Sequence, residues 1–364
     1  MNNDNNANLI HEEVPAEYVK CSSCGANMVF EPSQQVLSCP HCGSIKRFDT
    51  SSTAQEQDIL KGFSDNQTWK EHEACVYKCQ NCGAKVVLKS GETANSCPFC
   101  GTAHVQVVEE LAGIKPNALL PFTFNCEKAL SISKEWAKRK AFAPNDFKKN
   151  LKAENLNGVY APCFTFDSWT TSTYVGRIGK TYTKRVGSGK NARVVSYTVW
   201  RDIAGTHYDS FDDLLENSGS KIDQKTLTKI SPFETNQAKV FDEQYMLGFM
   251  AYHYDRNIED CWDSAKAKID VVLKRTILSK YVYDKIAYFN VSTNHERVTY
   301  KYVMLPIYVG NFLYAKKSYN FYINGSTGKI FGKTPKSFWK IFITVATSVL
   351  TCVAVGLICY FLSS

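Results

Sequence analysis

Residues 21–43, CSSCGANMVFEPSQQVLSCPHCG, and residues 79–101, CQNCGAKVVLKSGETANSCPFCG, are two copies of one unit offset by 58 positions. In each copy a C-x-x-C pair is followed, after 14 residues, by a second C-x-x-C pair. The copies also share Gly25/Gly83, Ala26/Ala84, Val29/Val87, Ser38/Ser96, Pro40/Pro98 and Gly43/Gly101, which chance does not supply. A C-x-x-C turn brings two thiolates to one ion, and the glycine after its second cysteine accepts the left-handed conformation that such a knuckle needs. Two knuckles close a tetrahedral shell. Cys21, Cys24, Cys39 and Cys42 are therefore expected to hold one Zn2+, and Cys79, Cys82, Cys97 and Cys100 a second. Four sulfurs leave no position for water or substrate, so both ions are expected to be structural; an iron centre of rubredoxin type is the alternative. The stretch between knuckles has too few apolar residues to fold alone, so metal binding and folding should be one event. Cys75 and His104 stand close to the second unit, but its complete set of four cysteines makes a substitute ligand unnecessary.

The rest of the cysteine usage agrees. Of 14 cysteines, eight fall in the four C-x-x-C pairs, which is metal-ligand spacing and not a disulfide framework, and points to a reducing compartment. The leading residues, MNNDNNANLIHEEVP, are polar with no apolar core, so no secretory signal is expected. At 364 residues and 44% hydrophobic, the chain has material for two or three compact units. The net charge of +8 suggests an anionic surface nearby without saying which.

At the other end, Ile341 to Leu362 form a run of 22 uncharged residues, about 33 Å as a helix, which matches a bilayer core. Lys329, Lys333, Lys336 and Lys340 precede the run and Trp339 stands at its start. The positive-inside rule and the aromatic belt then agree on a single-pass, tail-anchored protein of the cell membrane, its N-terminal bulk in the cytoplasm, with Lys336, Trp339 and Lys340 at the interface.

Between these landmarks the predicted organisation is α+β. Residues 1–20 read as a disordered N-terminus, 21–48 as zinc ribbon 1, 49–74 as a linker with a short helix around Ile59, Leu60, Phe63 and Trp69, and 75–105 as zinc ribbon 2. Residues 115–153 read as a basic helical connector. It has one amphipathic helix capped by Asn125, with Leu130, Ser133, Trp136 and Ala137 at helical spacing, and a second after Pro144. Lys134, Lys138, Arg139, Lys140, Lys148, Lys149 and Lys152 make the connector a candidate contact for an anionic surface, although a lysine-rich helix face is more often simply solvated. Residues 154–335 read as an antiparallel-sheet α+β domain and 339–362 as the transmembrane helix. Within the sheet domain, period-two stretches such as GVYAPCFTFDSWTTSTYV argue for strands, and Asn257 caps a helix to about Val282. Strands are then expected near 286–293, 296–309 and 312–331, the last bending at Asn324–Gly328. YAPCFTF at 160–166 and VMLPIYV at 303–309 hint at an internal duplication.

Catalytic motifs are not legible. Gly176-Arg-Ile-Gly-Lys-Thr181 resembles a phosphate loop but has Tyr174 where the spacing requires glycine, and Gly332-Lys333-Thr334 fails likewise at Thr327, so no ATP-driven motor is expected. The histidines are scattered, without a metalloprotease pattern.

Taken in order, both cysteine units, ALLPFTFNCEKA, KEWAKRKAFAPNDFKK, LNGVYAPCFTFD, YMLGFMAYHY and YNFYINGSTGKIFGKTPKSFWK resemble a bacterial family of paired zinc-ribbon proteins ending in a membrane helix. Members are often labelled primosomal helicase-like or transcription-factor-IIB-type ribbon proteins. The resemblance covers residues 21 to 362. It implies a membrane adaptor that accompanies stomatin/prohibitin-like or phage-shock-type proteins. The helicase label does not carry over, for want of a motor motif. The expected function is thus a non-enzymatic adaptor or scaffold that recruits protein partners, in membrane organisation or envelope stress; the alternative is a nucleic-acid-binding zinc-ribbon protein at the membrane.

Overall fold

The computed structural model describes residues 19–64, 74–89, 97, 99, 102, 105–110, 114–149, 151, 156–315 and 317–363. In chain order, β1 (Val29–Glu31), β2 (Val36–Ser38) and β3 (Ile45–Lys46) form a small antiparallel sheet. They are followed by β4 (Gln57–Asp58), α1 (Ile59–Ser64), β5 (Ala74–Cys79), β6 (Lys85–Lys89), β7 (Val105–Glu110) and β8 (Ala118–Leu119). Next come α2 (Cys126–Lys138), α3 (Asn145–Lys149), β9 (Leu156–Val186), β10 (Arg193–Asn217), α4 (Gln224–Ile230), β11 (Lys239–Val240) and β12 (Met250–Tyr252). The chain continues through α5 (Ile258–Leu278), β13 (Lys285–Tyr314), β14 (Lys317–Asn324), β15 (Ile330–Gly332) and α6 (Phe338–Ser363). This is a mixed α+β fold with antiparallel sheets and one C-terminal apolar helix.

Its spine is the pairing of β9 with β13, antiparallel from Leu156 opposite Gly310 to Gly179 opposite Lys285. The segment read as two strands at 286–293 and 296–309 is a single strand. Bulges at Ile286/Tyr288 and Glu296/Thr299 absorb the irregularity, and Arg297 takes a positive φ of 49° at the second. The two proline-containing motifs meet across this pair, with Tyr160 opposite Pro306 and Pro162 opposite Met304. Each long strand also has one hairpin partner, β10 or β14, and one short parallel neighbour, β12 or β8.

Strict alternation along the spine separates two apolar layers. Tyr160, Phe164, Phe166, Tyr302, Met304 and Tyr308 face one layer, which also takes in residues of α2, α3 and α5. Val159, Ala161, Cys163, Val303, Leu305 and Ile307 face the other, together with Leu227 and Ile230 of α4. The helices start where expected: the Asn125 side chain accepts from the Lys128 amide, and Asn257 from the Asp260 amide. On α5, Cys261, Trp262, Ala265, Ile269, Leu273 and Ile277 form the buried stripe.

The stretch expected as a linker is partly built into the body. Ala54 donates its amide to the Ala238 carbonyl at 2.8 Å, and Gln57 and Asp58 pair with Tyr300 and Thr299 of β13. Helix α1 follows, while Trp69 lies outside the described residues.

Candidate metal centres and membrane segment

The first cysteine unit folds as its pattern requires. The Gly25 amide donates to the Cys21 carbonyl at 2.8 Å and the Gly43 amide to the Cys39 carbonyl at 2.9 Å, the two glycines having φ of 73° and 75°. The knuckles bring Cys21 to 3.5 Å from Cys42 and Cys24 to 3.5 Å from Cys39, sulfur to sulfur, with all four sulfurs within 4.8 Å of one another. A tetrahedral shell with Zn–S of about 2.3 Å has sulfur–sulfur edges of about 3.8 Å, whereas a disulfide needs about 2.05 Å. The donor set therefore fits a bound metal ion and not a disulfide. Amides of Ser23 and Cys24 donate to the Cys21 sulfur and bring its pKa down to about 6, while at Cys24 the Ala26 amide is outweighed by the Cys39 and Cys42 sulfurs, which raise it to about 12, so the thiols do not ionise together until a cation joins them.

The second unit repeats this construction. Gly83, φ 70°, donates to the Cys79 carbonyl at 2.8 Å, and Cys82 lies 3.6 Å from Cys97, sulfur to sulfur. Cys79, Cys82 and Cys97 are mutually within 4.8 Å. The Cys97 amide donates to Thr102 at 2.8 Å as the Cys39 amide does to Ser44, also at 2.8 Å. The fourth expected ligand, Cys100, lies outside the described residues, as does His104; Cys75 lies in β5.

The two units sit on opposite layers of the spine. Cys21 and Cys39 join the layer containing Tyr160 and Tyr302, with Phe30 5.2 Å and Phe48 4.9 Å from the Tyr245 ring. Cys79 and Cys97 join the layer containing Val159 and Val303, with Phe99 5.4 Å from the Tyr252 ring.

Helix α6 is 26 residues long, about 39 Å, and the apolar stretch Phe338–Gly356 is not buried against the body. It is long and apolar enough to cross a membrane. Its start is tied to the loop between α2 and α3. The Ser337 amide donates to the Phe142 carbonyl at 2.8 Å, and the Lys340 ammonium reaches the Ala143 carbonyl at 2.8 Å and Asn145 Oδ1 at 2.9 Å. Lys336 and Trp339 are exposed beside it.

This brings the basic connector next to the apolar helix. Lys134 and Lys138 are exposed on α2, with Arg139 as its C-cap paired to Glu135. Lys140 lies over the Trp136 ring, 5.1 Å from its centre, and Lys148 and Lys149 end α3; Lys152 lies outside the described residues.

The chain is 27% identical to the uncharacterized protein YdjG of Bacillus subtilis (strain 168). The likeness runs over 324 residues, 88% of this chain and 91% of the relative, so it extends well beyond any one segment. No protein-family profile and no solved structure matches the chain.

One ionic cluster had no signature in the sequence. The Lys301 side chain, 5% exposed, lies 3.1 Å from Glu56 and 2.9 Å from Asp213. Thr299 donates to Glu56 at 2.7 Å and to Asp167 at 3.2 Å, and the Asp213 amide donates to Asp167 at 2.7 Å. Burial, then the hydrogen-bonded Glu56, lifts Asp167 to about 7, while the bond with Asp167 leads the causes that hold Glu56 at about 2. The two carboxyls thus share one proton near neutrality. Burial alone would lower Lys301, but Asp213 and Glu56 more than offset it and leave its pKa raised. Glu56, Asp167 and Asp212 are close enough to share a cation, a role the Lys301 ammonium already fills for Glu56. These partners are up to 245 residues apart, which no local pattern reveals.

Proposed function

We propose that this chain is a membrane-anchored scaffold that holds two structural zinc ions and recruits protein partners to the cytoplasmic face of the cell membrane. The observation that carries this is the joint between body and apolar helix. Ser337 and Lys340 tie the first turn of α6 to the α2–α3 loop, while the stretch beyond is not buried against the body. A spanning α6 would hold the folded mass against the headgroups.

One ion would be held by Cys21, Cys24, Cys39 and Cys42, the other by Cys79, Cys82, Cys97 and Cys100. Closed thiolate shells supply rigidity and not reactivity, which suits a binding protein better than an enzyme. With the start of α6 joined to the basic α2–α3 connector at Phe142, Ala143 and Asn145, anionic lipid is the surface that connector suits best, and the lysines before the helix favour a cytoplasmic body. The partners that suit such a scaffold are membrane-associated proteins of the stomatin/prohibitin-like or phage-shock type, as the family resemblance implies.

The test is to extract tagged full-length protein from its native membranes, count zinc, and identify what co-purifies. Two zinc ions per chain and specific membrane-associated proteins are expected. Co-purifying nucleic acid, released with a steep linear dependence of log affinity on log salt, would overturn the scaffold reading in favour of nucleic-acid binding.

A further inference from the structure

Strand β9 stays paired with β13 only as far as Gly179, yet its pairing with β10 continues to Val186, opposite Arg193. Residues 180–199 therefore project as a two-stranded ribbon beyond the three-stranded sheet. From Leu156, which accepts from the Cys126 thiol of α2, the 31 residues of β9 carry the tip along roughly 100 Å of strand path.

The ribbon concentrates the charge of the protein. Residues 180–199 contain five Lys and Arg and no Asp or Glu, against a net +3 over the other 344 residues. The base is internally satisfied: Asp284 holds Lys180 at 3.1 Å and the Thr181 amide at 2.7 Å, and Arg201 lies over the Tyr281 ring. Beyond it, no acidic group among the described residues pairs with Lys184, Arg185 or Arg193. Each of the three lies opposite a valine, Val195, Val194 and Val186 respectively, and these valines are 40%, 71% and 43% exposed.

Two-stranded ribbons are marginal in water by themselves. Here the outer edge of β10, from Arg193 to Phe211, has no strand partner among the described residues. Such an edge is a row of amide donors and carbonyl acceptors ready for another strand.

We propose that this arm is a docking strand, to which an extended acidic segment of a partner protein adds along the free edge of β10, its carboxylates meeting Lys184, Arg185 and Arg193. The proposal rests on the scaffold reading above and names the chemistry of the partner. A second copy of the chain is disfavoured because it brings the same Lys184, Arg185 and Arg193 to the same edge. Nucleic acid suits the arm less well. Tyr182 and Tyr197 stack on each other at 5.9 Å, not as separate platforms for bases, and a phosphate backbone makes no use of the exposed valines or of a strand edge.

The test uses full-length protein in lipid nanodiscs and a short labelled peptide of repeated Glu-Glu-Val-Val, which presents carboxylates on both faces of a strand, with a Lys-for-Glu peptide and a DNA duplex as competitors. The acidic peptide should bind, amides within Arg193–Phe211 should gain protection from exchange, and the combined Lys184→Glu, Arg185→Glu, Arg193→Glu variant should bind on the order of tenfold more weakly. These side chains are exposed, and an unchanged zinc count shows that the variant is folded. No binding by the wild type, equal binding by the variant, protection outside β10, or preference for the duplex would each overturn the proposal. Co-purification from membranes separates it from the scaffold reading: identical partners on wild type and variant remove the arm and leave the scaffold, whereas no partners on wild type remove the scaffold.

Discussion

The first cysteine unit keeps a three-stranded sheet of its own and meets the body chiefly through side chains, with Phe30 and Phe48 against Tyr245 and one backbone bond from Phe30 to Leu247 at 2.9 Å. The second unit is joined through its backbone: Val86 and Val87 of β6 pair with Tyr252 and Ala251 of β12, which continues the main sheet through β5 to β7. Exposure differs less: the first cysteine of each pair is buried in both units, Cys21 and Cys39 as much as Cys79 and Cys97, while the second cysteine is exposed at Cys24 and half-buried at Cys82. One motif has thus been attached in two ways, and the difference teaches that ligand spacing specifies a metal shell without specifying how much of the fold depends on it.

The largest expected effect tests that dependence directly. A structural zinc site is worth about 10 kcal/mol, comparable with the whole stability of a domain. Cys79→Ser with Cys82→Ser should therefore remove a zinc ion and abolish cooperative unfolding of the sheet. Cys21→Ser with Cys24→Ser should also lose an ion, yet release only the region of residues 19–48. Zinc counting together with circular dichroism on heating distinguishes the two, and equal collapse of both variants would erase the contrast.

Next in size is the aromatic contact that seats the first unit. Tyr245→Ala should cost about 3 kcal/mol and speed amide exchange in β1–β3 while leaving β5–β7 protected. Equal loss of protection in both units would mean that they unfold together.

A pH effect should then appear on the side of the first unit, because Glu56 lies in the segment that joins it to the body. Asp167 has its folded pKa raised to about 7 from a usual value near 3.8, so its stabilising contribution is complete below about 3.8 and is lost as pH rises through about 7. Glu56, depressed to about 2, contributes above its usual 4.5, and that contribution is lost as pH falls toward 2. Exchange of residues 51–58, corrected for intrinsic rates, should accelerate between pH 6 and about 8.5. Asp167→Asn should flatten this response, and β5–β7 should not share it.

The smallest effect belongs to the second unit. Asn311 donates to the Phe99 carbonyl at 2.9 Å, but Asn320 also reaches that oxygen at 3.3 Å. Asn311→Ala should therefore cost no more than about 1 kcal/mol and loosen the second unit alone, as its rate of zinc release to a chelator would report.

Features with short-range causes were legible in the chain. The knuckles depend on contacts within five residues, the Asn125 and Asn257 caps on amides three residues on, and the apolar run of α6 on composition. The turn at Asn324 is another, its side chain accepting from the Ser326 and Thr327 amides. The strands after α5 were harder to divide, because bulges kept β13 in register where the sequence pattern broke.

The amino-acid sequence by itself determined two cysteine groups at metal-ligand spacing, the capped helices α2 and α5, and an apolar helix after a basic approach, since each is set by neighbours in the chain. Only the tertiary structure decided that the two groups lie on opposite layers of the β9–β13 spine, that residues 49–58 are pinned to the body, that Lys301 meets Glu56, and that the basic connector flanks α6. It also decided that β9 and β10 outrun β13 to leave a cationic arm. The physical reason is that these features depend on which strand pairs with which and where each pairing stops. The β9–β10 hairpin apart, strand pairing here is chosen by burial and register between segments about a hundred residues or more apart, and local spacing is silent about both.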